Sequence, residues 1–147
     1  MPFRPDIVVT EPDSPRILLV VETKAQPQDL SQMGSQMKRY MVQMSCPLGL
    51  LVTPAEIVLY KDRYVGRTED SVEQIGRYSA PSPWQEWRSR RDWEFEGVVR
   101  SWLDRVRSSK RIRDFPPEAA DALASYLLPA LSAGVIRGAG PHEQPAG

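Results

Sequence analysis

The sequence predicts a mixed α/β domain, and the order of its apolar segments is the main reason. Two short runs rich in Val, Ile and Leu, which are typical of strands, come first at residues 7–9 and 17–21. A segment with apolar residues at helical spacing follows at 25–45, and further strand-like runs lie at 49–53 and 56–60. Because a helix is long enough to return the chain in parallel, we expect one mixed sheet.

The first two runs form a predicted hairpin. Residues 11–15, Glu-Pro-Asp-Ser-Pro, separate them, and these residue types favour a tight reversal. The second run is apolar for five residues without a break, which indicates a strand buried on both faces. In an antiparallel hairpin the start of one strand lies beside the end of the other. We therefore expect Asp6 next to Glu22 and Lys24, which leave the second strand on the same face.

Two carboxylates and one amine at one edge of a sheet suit a hard cation. Charges at the end of a buried strand are costly unless they are paired or bind a metal. Mg²⁺ takes oxygen ligands and usually needs only one or two carboxylates plus substrate phosphate. A neighbouring lysine can orient the water or neutralise developing charge. The alternative is a surface hairpin with a casual salt bridge, because Glu-x-Lys alone is very common.

These residues resemble the motif of the PD-(D/E)XK nuclease superfamily, which here reads Pro5-Asp6, a turn, an apolar strand and Glu22-Thr23-Lys24. Further along, Gln36-Met-Lys-Arg-Tyr40 matches the Gln-x-x-x-Tyr motif of RecB-like members. The same motif occurs in the nuclease domain at the amino terminus of type I restriction enzyme motor subunits. The resemblance covers roughly residues 5–61.

The resemblance implies a small mixed sheet of restriction-endonuclease-like type. It also implies Mg²⁺- or Mn²⁺-dependent hydrolysis of DNA phosphodiester bonds, in restriction, defence or DNA repair. In that scheme Asp6 and Glu22 hold the metal together with the carbonyl of Thr23. Lys24 positions the water, so that Asp6, Glu22 and Lys24 form the catalytic set.

The segment 25–45 is expected to be a helix with one apolar stripe, made by Leu30, Met33, Met37, Met41 and Met44. Gln36 and Tyr40 are neighbours at the border of that stripe. Spacing alone favours Tyr40 as core filler and Gln36 as an ordinary surface amide. The resemblance implies instead that both residues support the metal site or contact DNA.

Residues 1–4 leave almost no chain ahead of Asp6, and this is the main departure from the family. Its members usually place a helix and a strand before the strand that bears the Asp, and that helix often carries an additional acidic residue near the metal. Either the chain is a fragment, or a partner supplies the missing elements, or a later helix fills the gap. The departure keeps a second function open, that of a non-catalytic nuclease-like module for DNA binding or assembly.

The rest of the chain is expected to be mainly helical. We expect a short helix at Val72–Tyr78 and a linker at Ala80–Pro83, followed by helices around residues 95–106 and 116–134. The predicted organisation is a nuclease-like core at 1–80, a helical C-terminal extension at 81–136 and a disordered tail at 137–147. A metal role for His142 in that tail is not expected.

The last helix is apolar on most of its surface, around Leu123, Leu127, Leu128 and Leu131. Apolar area of that extent usually marks a partner interface when it is exposed. Closed two-fold dimers are the commonest arrangement, so we expect a homodimer built on the C-terminal helices, or a subunit of a larger assembly. The remaining alternative is a monomer whose helices pack on their own sheet.

The formal net charge is +0, so contact with nucleic acid has to come from a local patch. Basic side chains cluster near the end of the helix predicted around residues 95–106, at Arg105, Arg107, Lys110, Arg111 and Arg113. Such runs are usually solvated faces, but a local basic face can also contact DNA phosphates without reading the base sequence.

Composition limits the remaining classes. At 147 residues the chain is one domain of ordinary size with a near-globular hydrophobic fraction of 41%. The single Cys46 allows no internal disulfide, and no apolar run approaches membrane-spanning length. Because no signal peptide is recognisable, a soluble cytoplasmic protein without a membrane partner is the expectation.

Overall fold

The structure, a computed structural model, describes residues 5–26, 30–87 and 91–138. That part of the chain holds a six-stranded mixed sheet with helices on both faces. The strands are β1 (Ile7–Thr10), β2 (Ile17–Thr23), β3 (Leu48–Val52), β4 (Glu56–Asp62), β5 (Val72–Ser79) and β6 (Val135–Gly138). The α-helices are α1 (Leu30–Gln43), α2 (Asp92–Ser109) and α3 (Pro117–Ala133), and 3₁₀ helices span Glu69–Ser71 and Ser82–Trp87.

The strand order across the sheet is β5-β4-β3-β2-β1-β6. β1 and β2 form the antiparallel hairpin that the sequence predicts. β3 returns parallel to β2, with α1 as the crossover, and β4 and β5 continue antiparallel. The predicted mixed α/β sheet is thus confirmed, and the carboxyl ends of β2 and β3 lie side by side at one edge.

Helix α1 covers one face of the sheet through the predicted methionine stripe. Met33, Met37 and Met41 are buried in the core cluster of that face, whereas Met44 lies beyond the helix and is exposed. Gly49 of β3 allows this close approach, because a Cβ there would lie 2.7 Å from the Met41 sulfur and 2.8 Å from the Met37 sulfur.

Helices α2 and α3 cover the opposite face. Phe95 and Leu103 of α2 and Leu123 and Leu127 of α3 are fully buried in one cluster with inward-facing residues of β1 to β4. Trp84, in the 3₁₀ helix after β5, joins the same cluster and meets Phe95 and Trp102 edge-on. The boundary expected at residue 80 therefore does not divide the hydrophobic core.

The expected helix at Val72–Tyr78 is wrong, because this segment forms strand β5. The strand pairs with β4 along its length, from Asp62–Val72 to Glu56–Ser79. An isolated helix of seven residues would be marginal in water. The free edge of β4 instead gives the backbone a ready set of hydrogen-bond partners.

The disordered tail expected from residue 137 is also wrong at its beginning. β6 runs to Gly138 and pairs antiparallel with β1, with Gly138 opposite Ile7. Residues 139–147, including His142, lie outside the described residues. The edge of β1 opposite β2 is thus paired with a strand that directly follows α3.

The apolar surface of α3 packs on the chain's own sheet. Leu123, Leu127 and Leu131 are fully buried, Ala130 is 8% exposed and Leu128 is half-buried, so most of the surface expected to be open for a partner is covered by the chain itself. Over the described ranges, no helix combines the length and apolarity needed to cross a membrane.

Candidate metal and catalytic site

Asp6 and Glu22 lie next to each other at the edge where β1 begins and β2 ends. The hairpin register pairs Ile7 with Val21, so Asp6 lies opposite Glu22 one position further along. The Asp6 N–H continues the ladder by donating to the Val21 carbonyl at 3.1 Å. The structure thus brings together the two carboxylates that the sequence singles out, and the two side chains are hydrogen-bonded to each other.

Thr23 fixes the orientation of Asp6. Its backbone N–H donates to Asp6 Oδ2 at 2.7 Å and its hydroxyl donates to the same oxygen at 2.9 Å. Thr23 is 1% exposed and Asp6 is half-buried, so both hydrogen bonds are partly shielded from water. One oxygen of Asp6 is therefore tied to β2, and the carboxylate is held at the rim of the sheet.

Glu22 is a buried acid beside a second acid. It is only 8% exposed. Burial, followed by the hydrogen bond and the negative charge of Asp6, raises the pKa of Glu22 to about 10, while the Lys24 ammonium acts in the opposite direction. Burial and the neighbouring Asp6 thus favour the protonated form of Glu22, whereas a bound divalent ion would favour its ionised form.

Lys24 extends from the end of β2 between Glu22 and a third carboxylate, Asp92. The Lys24 ammonium lies 3.7 Å from Asp92 Oδ2, and its positive charge acts to lower the pKa of Glu22. The backbone N–H of Lys24 donates to the Val52 carbonyl of β3 at 3.0 Å. The lysine is thus anchored by its backbone at the sheet edge and oriented by its side chain along that edge.

Asp92 is the residue of this site that sequence analysis missed. It is the first residue of α2, and its Oδ1 accepts the backbone N–H of Ala25 at 2.8 Å. With its two oxygens it contacts both the backbone and the side chain of the Lys24-Ala25 segment. The only local signal is an acidic residue in the first turn of a helix, which is common and favourable at any helix start. Its proximity to the site depends on how α2 packs.

The donor set fits a hard divalent cation with open coordination positions. The described residues contain no group of three or more His, Cys, Asp or Glu side chains that could hold a metal ion. Asp6 and Glu22 still supply two carboxylates in mutual contact, and Mg²⁺ typically takes only one or two together with waters and substrate phosphate. The side-chain oxygens of this pair are hard ligands, so the site is unsuited to soft metals.

Gln36 and Tyr40 both lie half-buried on α1. Tyr40 packs against the core cluster on the α1 side, and burial, followed by the nearby Cys46, raises its pKa. Cys46 lies just before β3 begins, whereas Glu22 lies beside Leu51 near the other end of that strand. Tyr40 is therefore placed toward the end of the sheet away from the carboxylates, and the supporting role of both residues stays a prediction.

The five predicted phosphate-contacting residues lie at the far end of α2 from Asp92. Arg105 and Arg107 are in the last turns of the helix, Lys110 is its left-handed C-cap, and Arg111 and Arg113 follow in the loop. At 1.5 Å rise per residue, Arg105 is about 20 Å from Asp92 along the helix axis. The structure therefore separates the basic group from the carboxylates by most of the length of α2.

Comparison of the chain with protein-family models, with curated proteins and with solved structures yields no match. The case for any function therefore depends on the residues and geometry described above.

Proposed function

We propose that this protein is a Mg²⁺-dependent nuclease of the PD-(D/E)XK type that hydrolyses DNA phosphodiester bonds. The observation that carries the proposal is the contact between the half-buried Asp6 and the buried Glu22 at adjoining strand ends, with Lys24 beside them. Burial of an acid beside a second acid costs stability. Such an arrangement is expected where a cation and a phosphate are to be bound.

The sheet topology supports the proposal. The superfamily it resembles places a helix and then a strand ahead of the strand that bears the Asp. In this protein α3 leads directly into β6, and β6 lies antiparallel on the edge of β1 beside Asp6. We infer that α3 and β6 correspond to that helix and strand, in a permuted chain order.

In the proposed mechanism Asp6 and Glu22 hold the metal, with the Thr23 carbonyl as a further ligand. When bound, Mg²⁺ makes water a stronger nucleophile and stabilises negative charge on the attacked phosphate. The Lys24 ammonium donates hydrogen bonds to the attacking water or to the phosphate oxygens, and the ion pair with Asp92 keeps that ammonium at the sheet edge. Hydrolysis consumes one water and leaves a phosphate monoester and a free hydroxyl.

The basic residues from Arg105 to Arg113 are proposed to contact backbone phosphates of the DNA. These contacts carry no base information, so they would position the duplex without setting sequence preference. Gln36 and Tyr40 are kept as supporting residues. A role in restriction, defence or DNA repair within the cytoplasm is part of the same proposal.

The test is cleavage of plasmid and linear duplex DNA with Mg²⁺, compared with EDTA. The wild type is expected to cleave, and Asp6→Ala and Lys24→Gln are expected to lose at least about 100-fold in rate, as for removal of a key charge-stabilising group. Glu73→Gln is the matched control, because Glu73 is an exposed carboxylate on the edge strand β5. Equal cleavage by the wild type and Asp6→Ala would exclude this site as the source of activity.

The alternative function is a non-catalytic nuclease-like module for DNA binding or assembly. The buried carboxylates and the lysine favour the enzyme, because a binding module has no need for an acid pair at this position. Salt-dependent DNA binding by the wild type without cleavage, under the same Mg²⁺ and Mn²⁺ conditions, would favour the module instead.

A further inference from the structure

A cavity of about 550 Å³ lies at the C-terminal end of α2, away from the carboxylates. This volume is within the range of small-molecule sites. Its apolar wall includes Trp102 and Val106, both almost fully buried, and its rim is polar. The polar lining residues are Asp104, Arg105, Ser108, Ser109, Arg111, Arg113 and Asp114.

Three arginines line this cavity from separate backbone positions. Arg105 projects from the last turns of α2, and Arg111 and Arg113 project from the loop that follows. Within the described ranges, none of the three side chains forms an ion pair or donates a side-chain hydrogen bond. Their charges are thus available to a ligand, and planar guanidinium groups are well suited to phosphate oxygens.

The loop that carries two of these arginines has a defined backbone. It begins at Lys110 and includes Asp114, both in the left-handed region with φ of 58° and 69°. Ser109 donates its hydroxyl to the carbonyl of Arg105 at 2.8 Å. Ile112, between Arg111 and Arg113, is buried in the core cluster on the same face as α2 and α3. Ile112 is buried whereas Arg111 and Arg113 on either side of it are exposed, so this loop presents both arginines at the surface.

Positively and negatively charged residues both line the cavity, and this restricts the class of ligand that it can bind. A simple inorganic anion would be attracted by the arginines and repelled by Asp104 and Asp114. A nucleoside phosphate carries an anionic group for the guanidinium side of the cavity. It also carries sugar hydroxyls and base amino groups that can donate to carboxylates, and a base that can stack on a guanidinium plane.

We propose that this cavity binds a nucleoside phosphate. The phosphate would contact Arg105, Arg111 and Arg113, and the hydroxyl or amino donors of the nucleoside would face Asp104 and Asp114. The ligand is either a free nucleotide or the terminal nucleotide of a DNA strand. Only the second source depends on the proposed nuclease function.

The experiment is titration calorimetry of the full chain with four probes: dAMP, inorganic phosphate, and a thymidine octamer with either a 5′-phosphate or a 5′-hydroxyl. Saturable binding of dAMP that exceeds that of inorganic phosphate is expected. Tighter binding of the 5′-phosphorylated octamer than of the 5′-hydroxyl octamer assigns the site to strand ends. Equal binding of the two octamers, with dAMP still bound, assigns it to free nucleotides.

The variants separate a shaped site from general positive charge. Arg111→Ser combined with Arg113→Ser should weaken dAMP binding at least about 10-fold, as expected for the loss of two charge-assisted contacts. Arg67→Ser is the matched control, since Arg67 is an exposed arginine that neither lines the cavity nor belongs to the proposed DNA contacts. It should bind dAMP within about twofold of the wild type, given the small effect of a distant exposed charge.

Three results would overturn the inference: no saturable binding of dAMP, equal weakening by the double variant and by Arg67→Ser, or binding of inorganic phosphate as tight as that of dAMP. Asp6→Ala should bind dAMP like the wild type. Cleavage without nucleotide binding would therefore reject the cavity and leave the nuclease proposal intact. Nucleotide binding without cleavage would support the cavity and reject the nuclease proposal.

Discussion

Asp92 is the residue whose contribution depends most on the tertiary structure. Its Oδ1 holds the Ala25 N–H, and its Oδ2 faces the Lys24 ammonium. The ion pair is partly exposed, with the Asp92 side chain 53% accessible, so its contribution to folding is expected to be small. We attribute to it a positioning role for Lys24.

Replacement of Asp92 in two steps tests this role. Asp92→Asn keeps an oxygen for the Ala25 N–H but loses the charge beside Lys24, so kcat should fall about 10-fold with KM little changed. Asp92→Ala loses both contacts, so its kcat should be reduced further, by about 100-fold relative to the wild type. Steady-state cleavage kinetics measure both effects, with Asp121→Asn on α3 as an exposed control. If Asp92→Ala has the wild-type kcat, Lys24 does not need this partner.

In the metal-free protein, Glu22 lowers the stability of the fold at pH values above the ordinary pKa of a glutamic acid. Its folded-state pKa is raised to about 10, so the unfolded chain releases a proton that the folded chain retains. The stabilising contribution of the protonated acid is complete below the unfolded pKa, about 4.5, and is lost progressively as the pH rises toward 10.

Glu22→Gln should therefore stabilise the metal-free protein at pH 8 by more than about 1 kcal/mol, which corresponds to less than one pKa unit. The difference from the wild type should shrink toward pH 5. Denaturant unfolding in EDTA measures it. Added Mg²⁺ should stabilise the wild type and leave Glu22→Gln unchanged. Equal stabilisation of both proteins by Mg²⁺ would place the ion elsewhere.

Among the elements, the junction between α3 and β6 packs closely against the hairpin. A Cβ at Gly134 would lie 2.5 Å from Val9 Cγ1 and 2.8 Å from the Thr10 carbonyl oxygen. The φ of Gly134 is −124°, so its backbone is ordinary extended chain and the requirement for glycine is one of space. This close approach is what lets β6 pair with β1.

Gly134→Ala should destabilise the protein by about 1–3 kcal/mol, because the added methyl group meets the backbone of β1. Gly97→Ala is the matched control. A Cβ at Gly97 meets nothing within 4 Å, and Gly97 is an exposed position inside α2, so this change should stabilise by about 0.5–1 kcal/mol. Urea unfolding measures both. A neutral effect of Gly134→Ala would mean that the junction can move away from β1.

At the scale of the whole molecule, the apolar faces of the C-terminal helices are already covered. Large hydrophobic side chains that are exposed within the described residues are Met44, Tyr64 and Val65, which belong to neither α2 nor α3. The reason for expecting a homodimer on these helices is therefore removed.

Sedimentation equilibrium at micromolar concentration is now expected to show a monomer. The physical reason is that Leu123, Leu127 and Leu131 are fully buried in the chain's own core, so a dimer on this surface would have to unfold it first. A stable dimer would point to another surface. Its dissociation by Val65→Ser, but not by Ser125→Asp on the exposed side of α3, would identify that surface as the loop between β4 and β5.

Much of the candidate site follows from the sequence because it is built by a local hairpin. The pairing of Asp6 with Glu22 needs only a turn between two strands of matched register. Lys24 follows on the same strand. The period of the methionines likewise places Met33, Met37 and Met41 on one face of α1, since helical spacing depends on neighbours in the chain.

The amino-acid sequence by itself thus determined the hairpin, the crossover helix, the strands β3 and β4, and the helices α2 and α3. Only the tertiary structure decided that residues 72–79 and 135–138 are strands and that Asp92 joins the site. Local periodicity specifies an element when its own residues make the pattern. A strand at a sheet edge forms because a strand that is distant in the chain offers it an unpaired edge. A contact such as Lys24–Asp92 depends on how a helix that is distant in the chain packs.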